Sequence, residues 1–259
     1  MIFEGQQLNK EPFIEAPMQA IVVDSLTKDY DGVRALDSVS FKVEEGTFLG
    51  CFGPNGAGKS TLLRVLTGQI LPTSGKAEVL GHDCRTQGPE IKKLVGIMPE
   101  VESPPSYLTA SEFLYFVGKV RRVDGLDSKI KRWIDYFDLE DVKGSLCKDL
   151  SKGTRQKVML AASFIHEPKL LFLDEPFINL DPLYQRKLRE YLTELREEGR
   201  TIFMCSHILE MAQRLCKEVM ILNKVKLVAR ERIEDMKARG EDLETVFMRL
   251  VGRTDASAP

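Results

Sequence analysis

Gly53-Pro54-Asn55-Gly56-Ala57-Gly58-Lys59-Ser60 follows the apolar run TFLGCF and opens the helical run KSTLLRVLTG. Glycines at this spacing let successive backbone N–H groups turn toward a phosphate, and the helix N-terminus adds positive potential. The pattern GxxxxGK[ST] between a strand and a helix is therefore typical of a phosphate-binding loop. The alternative is an ordinary glycine-rich turn. We call residues 53–60 the phosphate loop.

The chemistry of such a loop assigns a separate role to each of its last polar residues. We expect Lys59 to reach the β- and γ-phosphates of a nucleotide, Ser60 to hold Mg²⁺ and Thr61 to contact the α-phosphate. The glycines, with Pro54, Asn55 and Ala57, supply the backbone that cradles the phosphates.

A second motif, LLFLDEP, is an apolar strand that ends in two adjacent acids, Asp174 and Glu175. Buried carboxylates are costly unless they hold a metal or act on a proton. We expect Asp174 to bind Mg²⁺ through water and Glu175 to polarise an attacking water molecule. Taken alone, such a pair also starts many turns, and only the phosphate loop favours the chemical interpretation.

The third motif, Leu150-Ser151-Lys152-Gly153-Thr154, stands directly before the helical run RQKVMLAASFIH. Here the chain resembles the nucleotide-binding domain of ABC transporters, whose signature sequence places a serine and a glycine at a helix N-terminus. The resemblance implies that Ser151 and Gly153 contact the γ-phosphate of ATP held by a second subunit. The physical basis is again an anion at a helix N-terminus, whereas the plain alternative is a serine N-cap. We call residues 150–154 the signature turn.

Three further positions match this family in the expected order. The resemblance implies that Tyr30 stacks on adenine, that Asn179-Leu180-Asp181 forms the D-loop with Asp181 near the nucleotide, and that His207 senses the γ-phosphate. A single Tyr or His of this kind is usually structural, and only the series of motifs favours these roles. His82 and His166 match no motif and are interpreted as surface or capping residues.

The chain departs from the family pattern at the Q-loop, where Glu100 in GIMPEVESPPSYLT replaces the usual glutamine. A carboxylate there can ligate Mg²⁺ or hold water, or it can point to solvent. Together with the run SKGTRQK, this departure resembles the ABC-2 type branch of exporters.

The order of patterns predicts an α/β fold, and the resemblance implies a P-loop NTPase with a mixed β core. An N-terminal antiparallel β subdomain and an inserted α-helical subdomain near residues 101–155 complete this expectation. We predict an extension at residues 1–18, an ATPase domain at 19–230 and C-terminal helices with a tail at 231–259. KAEVLGHD is expected to be one strand, Asp181 an N-cap, and residues near Asn223 and Lys224 a hairpin turn.

Composition excludes several other classes of protein. The net charge of −2 argues against a non-specific nucleic-acid binder, and we expect no nucleic-acid partner. The five cysteines show no metal-binding or disulfide spacing, and no apolar run approaches the ~20 residues that span a bilayer. The N-terminal residues lack the apolar core of a signal peptide.

The resemblance therefore implies an ATPase that binds ATP and Mg²⁺ and pairs with a second ABC ATPase subunit, in a homodimer or a heterodimer. Membrane permease subunits complete the implied transporter, with this chain on the cytoplasmic face of the cell membrane. Two alternatives stay open: a soluble ABC ATPase of translation or DNA repair, and a binding subunit that ATP only regulates.

Overall fold

The computed structural model describes residues 18–100 and 104–252. The predicted extension at residues 1–18 lies outside them except for Met18, and so does the predicted polar tail after residue 252. The strands are β1 (Gln19–Tyr30), β2 (Val33–Glu44), β3 (Phe48–Phe52), β4 (Ser74–Val79), β5 (His82–Asp83), β6 (Val95–Met98), β7 (Leu170–Asp174), β8 (Thr201–Cys205), β9 (Glu218–Asn223) and β10 (Lys226–Arg232). The helices are α1 (Lys59–Leu66), α2 (Gly88–Leu94), α3 (Ala110–Val120), α4 (Leu126–Tyr136), α5 (Lys152–Phe164), α6 (Pro182–Glu197), α7 (Leu209–Leu215), α8 (Ile233–Ala238) and α9 (Leu243–Gly252).

The strands form two sheets, and the predicted mixed α/β fold is confirmed. One sheet is antiparallel with the order β2-β1-β4-β5. The other has the order β10-β9-β3-β8-β7-β6 and is parallel except for β10 at its edge. Strand β8 lies between β3 and β7, although β3 is far from the other two in the sequence. Because the three strands are parallel, their carboxyl ends meet at one edge of the sheet.

The central strands are buried on both faces, as expected for a parallel sheet that is covered on two sides. Alternate side chains of one strand enter different cores. In β7, Leu171 and Leu173 pack into the core beneath the helices, whereas Leu170 and Phe172 face the core shared with α1 and the antiparallel sheet. The parallel sheet thus lies between two hydrophobic cores. Packing on both of its faces fixes the positions of the carboxyl ends of its strands.

Helices fill the chain between β6 and β7, in the part predicted to be a helical insertion. Helix α3 starts with a capping box in which Thr109 and Glu112 satisfy each other's backbone N–H groups. Aromatic contacts join α4 to α5 and α6, with the Trp133 ring 5.2 Å from Phe164 and 5.1 Å from Tyr191. The domain limits themselves stay a prediction.

Local expectations had mixed outcomes. The Asp181 carboxylate accepts hydrogen bonds from the N–H groups of Leu183 and Tyr184, which confirms the predicted N-cap. The hairpin is confirmed, with its turn at Lys224–Val225 between antiparallel β9 and β10. The single strand predicted for KAEVLGHD is wrong: the chain turns at Leu80 and Gly81, both with positive φ, and β4 and β5 pair as antiparallel neighbours.

The interpretation of His166 as a surface or capping residue is also wrong. Its ring is half-buried, and Nε2 lies 3.2 Å from the Val95 carbonyl and 3.1 Å from the Arg121 guanidinium. Burial, with the nearby Arg121 charge, lowers the pKa of His166 to about 4. The neutral ring therefore packs between the end of α3 and the start of β6.

Among the described residues, no helix has the length and apolar character that crossing a membrane requires.

Candidate functional site

The phosphate loop connects the carboxyl end of β3 to the first turn of α1. Gly58 caps the helix with a φ of 102°, and a Cβ on it would lie 2.5 Å from the Ala35 carbonyl oxygen. No other residue fits that position without moving β2, because both the backbone conformation and the space require glycine. The Lys59 ammonium is buried and donates to the carbonyls of Gly53 (2.7 Å) and Pro54 (3.2 Å). These two hydrogen bonds from Lys59 thus stabilise the curved backbone of the phosphate loop.

A cleft of about 480 Å³ opens beside this loop. It brings together residues from both sheets and from the segment after β6. Its walls comprise Tyr30, Val33, Arg34, Ala35, Asn55, Gly56, Ala57, Gly58, Lys59, Ser60, Thr61, Glu100, Asp174 and Glu175. Tyr30 is the last residue of β1 and is half-exposed, with the Lys28 ammonium 4.8 Å from its ring centre.

Three carboxylates, those of Glu100, Asp174 and Glu175, line one side of the cleft, where negative charge is unfavourable. Asp174 is the last residue of β7 and is almost fully buried. Its pKa is raised to about 6, chiefly by burial; the charges of Glu100 and Glu175 also raise it, whereas a hydrogen bond with Ser60 and the Lys59 charge lower it. An ionised Asp174 is therefore costly in this arrangement until a cation is added.

Glu100 closes the same side of the cleft. Its Oε2 lies 3.4 Å from Ser60 Oγ, and its side chain lines the cleft. The departure from the family pattern thus adds a third carboxylate to the cleft, and a second one, beside Asp174, to the groups predicted to hold metal. These oxygens are the hard donors that Mg²⁺ prefers.

Two side chains hold the Glu175 carboxylate, and the Glu175 backbone is in an unfavourable conformation. Its backbone has a φ of 51°, a left-handed conformation that costs energy for a residue other than glycine. Ser206 Oγ donates to one carboxylate oxygen (3.1 Å), and His207 Nδ1 lies 2.8 Å from the other. The Glu175 side chain is buried, whereas the His207 side chain is 60% exposed and is not among the described residues that line the cleft. The structure therefore brings His207 and Glu175 together from the ends of β8 and β7.

The signature turn lies on a different surface. Ser151 is exposed and caps α5 by accepting a hydrogen bond from the Thr154 N–H at 3.1 Å. Neither Ser151 nor Gly153 is among the described residues that line the cleft. The serine N-cap, which was the alternative to a phosphate-binding role for Ser151, is therefore present. The residues at the start of α5, Ser151 and Lys152, remain exposed.

Sequence reasoning missed several residues of the site. Arg34 lines the cleft as a second cation, and its guanidinium is paired at 2.9 Å with both Asp29 and Asp37. Ser206 and Gln156 contact Glu175, Gln156 through its amide at 3.3 Å from the Glu175 carbonyl. No spacing rule marks these positions, although Ser206 does stand directly before the predicted His207.

Comparison with known proteins places this cleft in a family context. A family model described as ABC transporter matches residues 36–178. An uncharacterized ABC transporter ATP-binding protein of Methanocaldococcus jannaschii is 38% identical over 218 residues, which cover 83% of this chain and 79% of that protein. The Nod factor export ATP-binding protein I of Rhizobium meliloti is 34% identical over 83% of this chain and 65% of its own length.

The chain spans less than half of another relative: a probable multidrug ABC transporter ATP-binding protein of Escherichia coli is 32% identical over 89% of this chain but only 41% of its own length. Among solved structures, one titled as the ATP binding subunit of an ABC transporter superposes with a TM-score of 0.83 at 29% identity. That match covers 89% of this chain and 99% of the other.

Proposed function

The chain belongs to the ABC transporter family and is an ATP-binding subunit of that kind, and from this premise we propose that it hydrolyses ATP·Mg²⁺ between two copies. Closure and opening of that pair would drive export through separate membrane subunits. The proposal rests on one observation: the two candidate phosphate-binding elements, the phosphate loop and the signature turn, do not line the same cleft. The cleft gathers the phosphate loop and the carboxylates, while the signature turn lies elsewhere.

A nucleotide in this cleft contacts the phosphate loop on one side only. The first turn of α5 offers backbone N–H groups and positive potential, but it is not part of the same cleft. In a head-to-tail pair, Ser151 and Gly153 of each copy cover the γ-phosphate held by the other. Tyr30 stacks on the adenine, the phosphate loop with Thr61 holds the phosphates, and Asp181 lies near the nucleotide from the D-loop.

The residues proposed for metal fit a divalent cation. Ser60 Oγ and Glu100 Oε2 lie 3.4 Å apart, and the pKa of Asp174 is raised mainly by burial and further by the nearby Glu100 and Glu175 carboxylates. Ser60, Glu100 and Asp174 would hold Mg²⁺, which when bound neutralises charge on the β- and γ-phosphates. The binding of a cation here removes the repulsion among the carboxylates.

Hydrolysis needs a water molecule aligned with the γ-phosphorus. In the proposed reaction Glu175 accepts a hydrogen bond from that water and receives its proton, the water oxygen forms the new P–O bond, and ADP leaves. Ser206 and His207 hold the carboxylate at fixed distances. In this proposal the exposed imidazole of His207 contacts the γ-phosphate, and Lys59 balances the developing charge.

An exposed apolar surface on the helical insertion supports a membrane partner. Tyr107 is 80% exposed, and Phe116 and Val120, one turn apart on α3, are 54% and 61% exposed. Phe116 and Val120 lie on one face of α3, and adjoining exposed apolar groups mark sites of protein interaction. We assign this surface, with the segment from residue 100 to 111, to a cytoplasmic coupling helix of the permease; residues 101–103 lie outside the described part. On this proposal the chain lies on the inner face of the cell membrane.

Replacing Ser151 with arginine tests the proposed function. We expect turnover to fall about 100-fold, because the added side chain blocks the N–H groups that complete the partner's site. ATP binding to the isolated chain should be unchanged, since Ser151 does not line the cleft. Steady-state ATPase rates and equilibrium ATP titration measure the two quantities. A binding subunit that ATP only regulates would show no turnover even before substitution.

Loss of the N-cap needs its own control, because it costs about 1 kcal/mol of stability. Ser151→Asn keeps a capping oxygen, adds no charge and adds much less bulk than arginine. It should retain most of the turnover and the melting temperature of the unmodified chain. Loss of ATP binding in the arginine variant would contradict the assignment of Ser151 to the partner's nucleotide.

Replacing Glu100 with glutamine tests the carboxylate at the metal. Without metal, Glu100 repels the nucleotide by about 1 kcal/mol, for a separation of ~6 Å in an effective dielectric near ~20 with salt screening. The glutamine variant should therefore bind metal-free ATP about 5-fold more tightly. Its affinity for ATP·Mg²⁺ should be equal or modestly lower, because one hard oxygen ligand becomes neutral.

The matched control is Glu45→Gln, which removes an equal charge from an exposed turn that does not line the cleft. It should leave the metal dependence unchanged. ATP titrations with Mg²⁺ and with a chelator compare the three proteins. If unmodified and Glu100→Gln chains depend equally on metal, Glu100 does not act at the nucleotide.

A further inference from the structure

Gln156 is a buried polar residue in the second turn of α5, the helix that begins at the signature turn. It is 1% exposed, and its Nε2 donates to the backbone carbonyls of Glu175 (3.3 Å) and Pro176 (3.1 Å). Its Oε1 is buried without a hydrogen-bond partner among the described residues. A half-satisfied buried amide is costly, so packing alone does not account for this residue type.

Gly153 lies one turn earlier on the same face of α5. A Cβ on Gly153 would lie 2.6 Å from the Asn179 carbonyl oxygen. The first two turns of α5 therefore rest on both ends of the segment from Glu175 to Asn179. Any displacement of the signature turn along or around this helix is transmitted to that segment through close contacts.

Glu175 is sensitive to such a displacement. Its left-handed backbone, with a φ of 51°, persists only because surrounding contacts hold it. Ser206 and His207 fix the carboxylate from β8, while Gln156 fixes the carbonyl from α5. If the α5 contact shifts while the Ser206 and His207 contacts remain, the Glu175 backbone moves relative to its own carboxylate. The side chain must then rotate, which changes the angle at which the carboxylate faces the phosphate loop.

We propose that Gln156 is a positioning residue that transmits the state of the signature turn to Glu175 of the same chain. The inference rests on the proposed pairing of two copies. Ser151 of one copy contacts the nucleotide of its partner, and Gln156 carries that contact to the water-positioning carboxylate of its own site. Each site then hydrolyses ATP efficiently only when the other site is occupied.

The chain offers a matched control in Gln185 of α6. Its Nε2 also donates to two backbone carbonyls of the neighbouring segment, those of Phe177 (3.2 Å) and Leu180 (3.1 Å). Both glutamines thus hold the same loop with the same chemistry. Only Gln156 belongs to the helix that begins at the signature turn.

The first experiment compares Gln156→Met with Gln185→Met, two changes that keep side-chain length and remove both donors. We expect Gln156→Met to lower kcat at least about 10-fold while the ATP dissociation constant of the isolated chain stays within ~2-fold. Gln185→Met should lower kcat by no more than about 3-fold. Melting temperatures are measured for both. Gln156→Asn, which keeps the amide on a shorter chain, should fall between the unmodified and methionine proteins.

The second experiment measures coupling between sites in two full chains joined by a flexible glycine–serine linker. One linked pair carries Ser151→Arg in one chain, and another carries Glu175→Gln in one chain. The glutamine pair loses one catalytic carboxylate and should keep about half the turnover. In the arginine pair, the substituted chain no longer completes the site of its partner, and its own site is impaired through Gln156. The turnover of this pair should therefore be below about a tenth of that of the unmodified linked pair.

Each result decides the inference. Unchanged kcat in Gln156→Met, or an equal loss in Gln185→Met, would overturn it, because the role would then be absent or merely a matter of loop stability. Equal turnover in the two linked pairs, at whatever level, would also overturn it. Failure of the proposed function is distinguishable, since the unmodified linked pair would then hydrolyse no ATP.

Discussion

Replacing Lys59 with alanine is expected to abolish tight binding of ATP·Mg²⁺ and all measurable hydrolysis. The ammonium is buried at the centre of the phosphate loop, where it already satisfies the carbonyls of Gly53 and Pro54. Charge-assisted hydrogen bonds to two phosphates are together worth at least ~3 kcal/mol, so the dissociation constant should rise about 100-fold or more. Equilibrium titration with a fluorescent ATP analogue and a phosphate-release assay measure the two effects.

Arg34 supplies the matched control, because it is the second cation that lines the same cleft. Its guanidinium is already paired with Asp29 and Asp37, so Arg34→Ala should weaken ATP binding much less than Lys59→Ala. Near-normal affinity in the Lys59 variant, or an equal loss in both, would show that the phosphate loop is assigned wrongly.

Glu175→Gln should keep ATP binding and lower the hydrolysis rate by about 100-fold or more, because a general base contributes a factor of that size. The amide cannot receive the proton of the attacking water, but it has nearly the same shape as the carboxylate. Binding without hydrolysis should trap the ATP-bound pair of chains. Size-exclusion chromatography with ATP and Mg²⁺ should then show a shift from the mass of one chain toward that of two.

The neighbouring carboxylate provides the control for this change. Asp174→Asn removes an equal charge one residue earlier, in a group proposed to hold the metal. It should lose Mg²⁺-dependent ATP affinity, whereas Glu175→Gln should not. Unchanged turnover in Glu175→Gln would assign that residue a structural role at the end of β7.

The sequence alone determined those parts of the site that local geometry dictates. A glycine at position 58 is required by a positive φ and by the close approach of the Ala35 carbonyl, so the phosphate loop carries its own signal. The N-cap of α6 at Asp181 follows from the hydrogen bonds that a short acidic side chain makes to the next turn. These features involve residues a few positions apart, and their physical cause is contained in the segment itself.

A local rule also failed where tertiary pairing intervened. The alternation in KAEVLGHD predicts one strand, but Leu80 and Gly81 adopt positive φ values and the two halves pair with each other. Pattern reasoning could not show where the backbone reverses.

Only the tertiary structure decided which groups meet at the carboxyl edge of the parallel sheet. The order β3-β8-β7-β6 brings His207 and Ser206 to Glu175, and Glu100 to Ser60, across more than thirty residues in each case. Strand order is set by the packing of both sheet faces against two separate cores, and no local periodicity encodes it. The contact of Gln156 with Glu175 arises in the same way, because it depends on how α5 lies against β7.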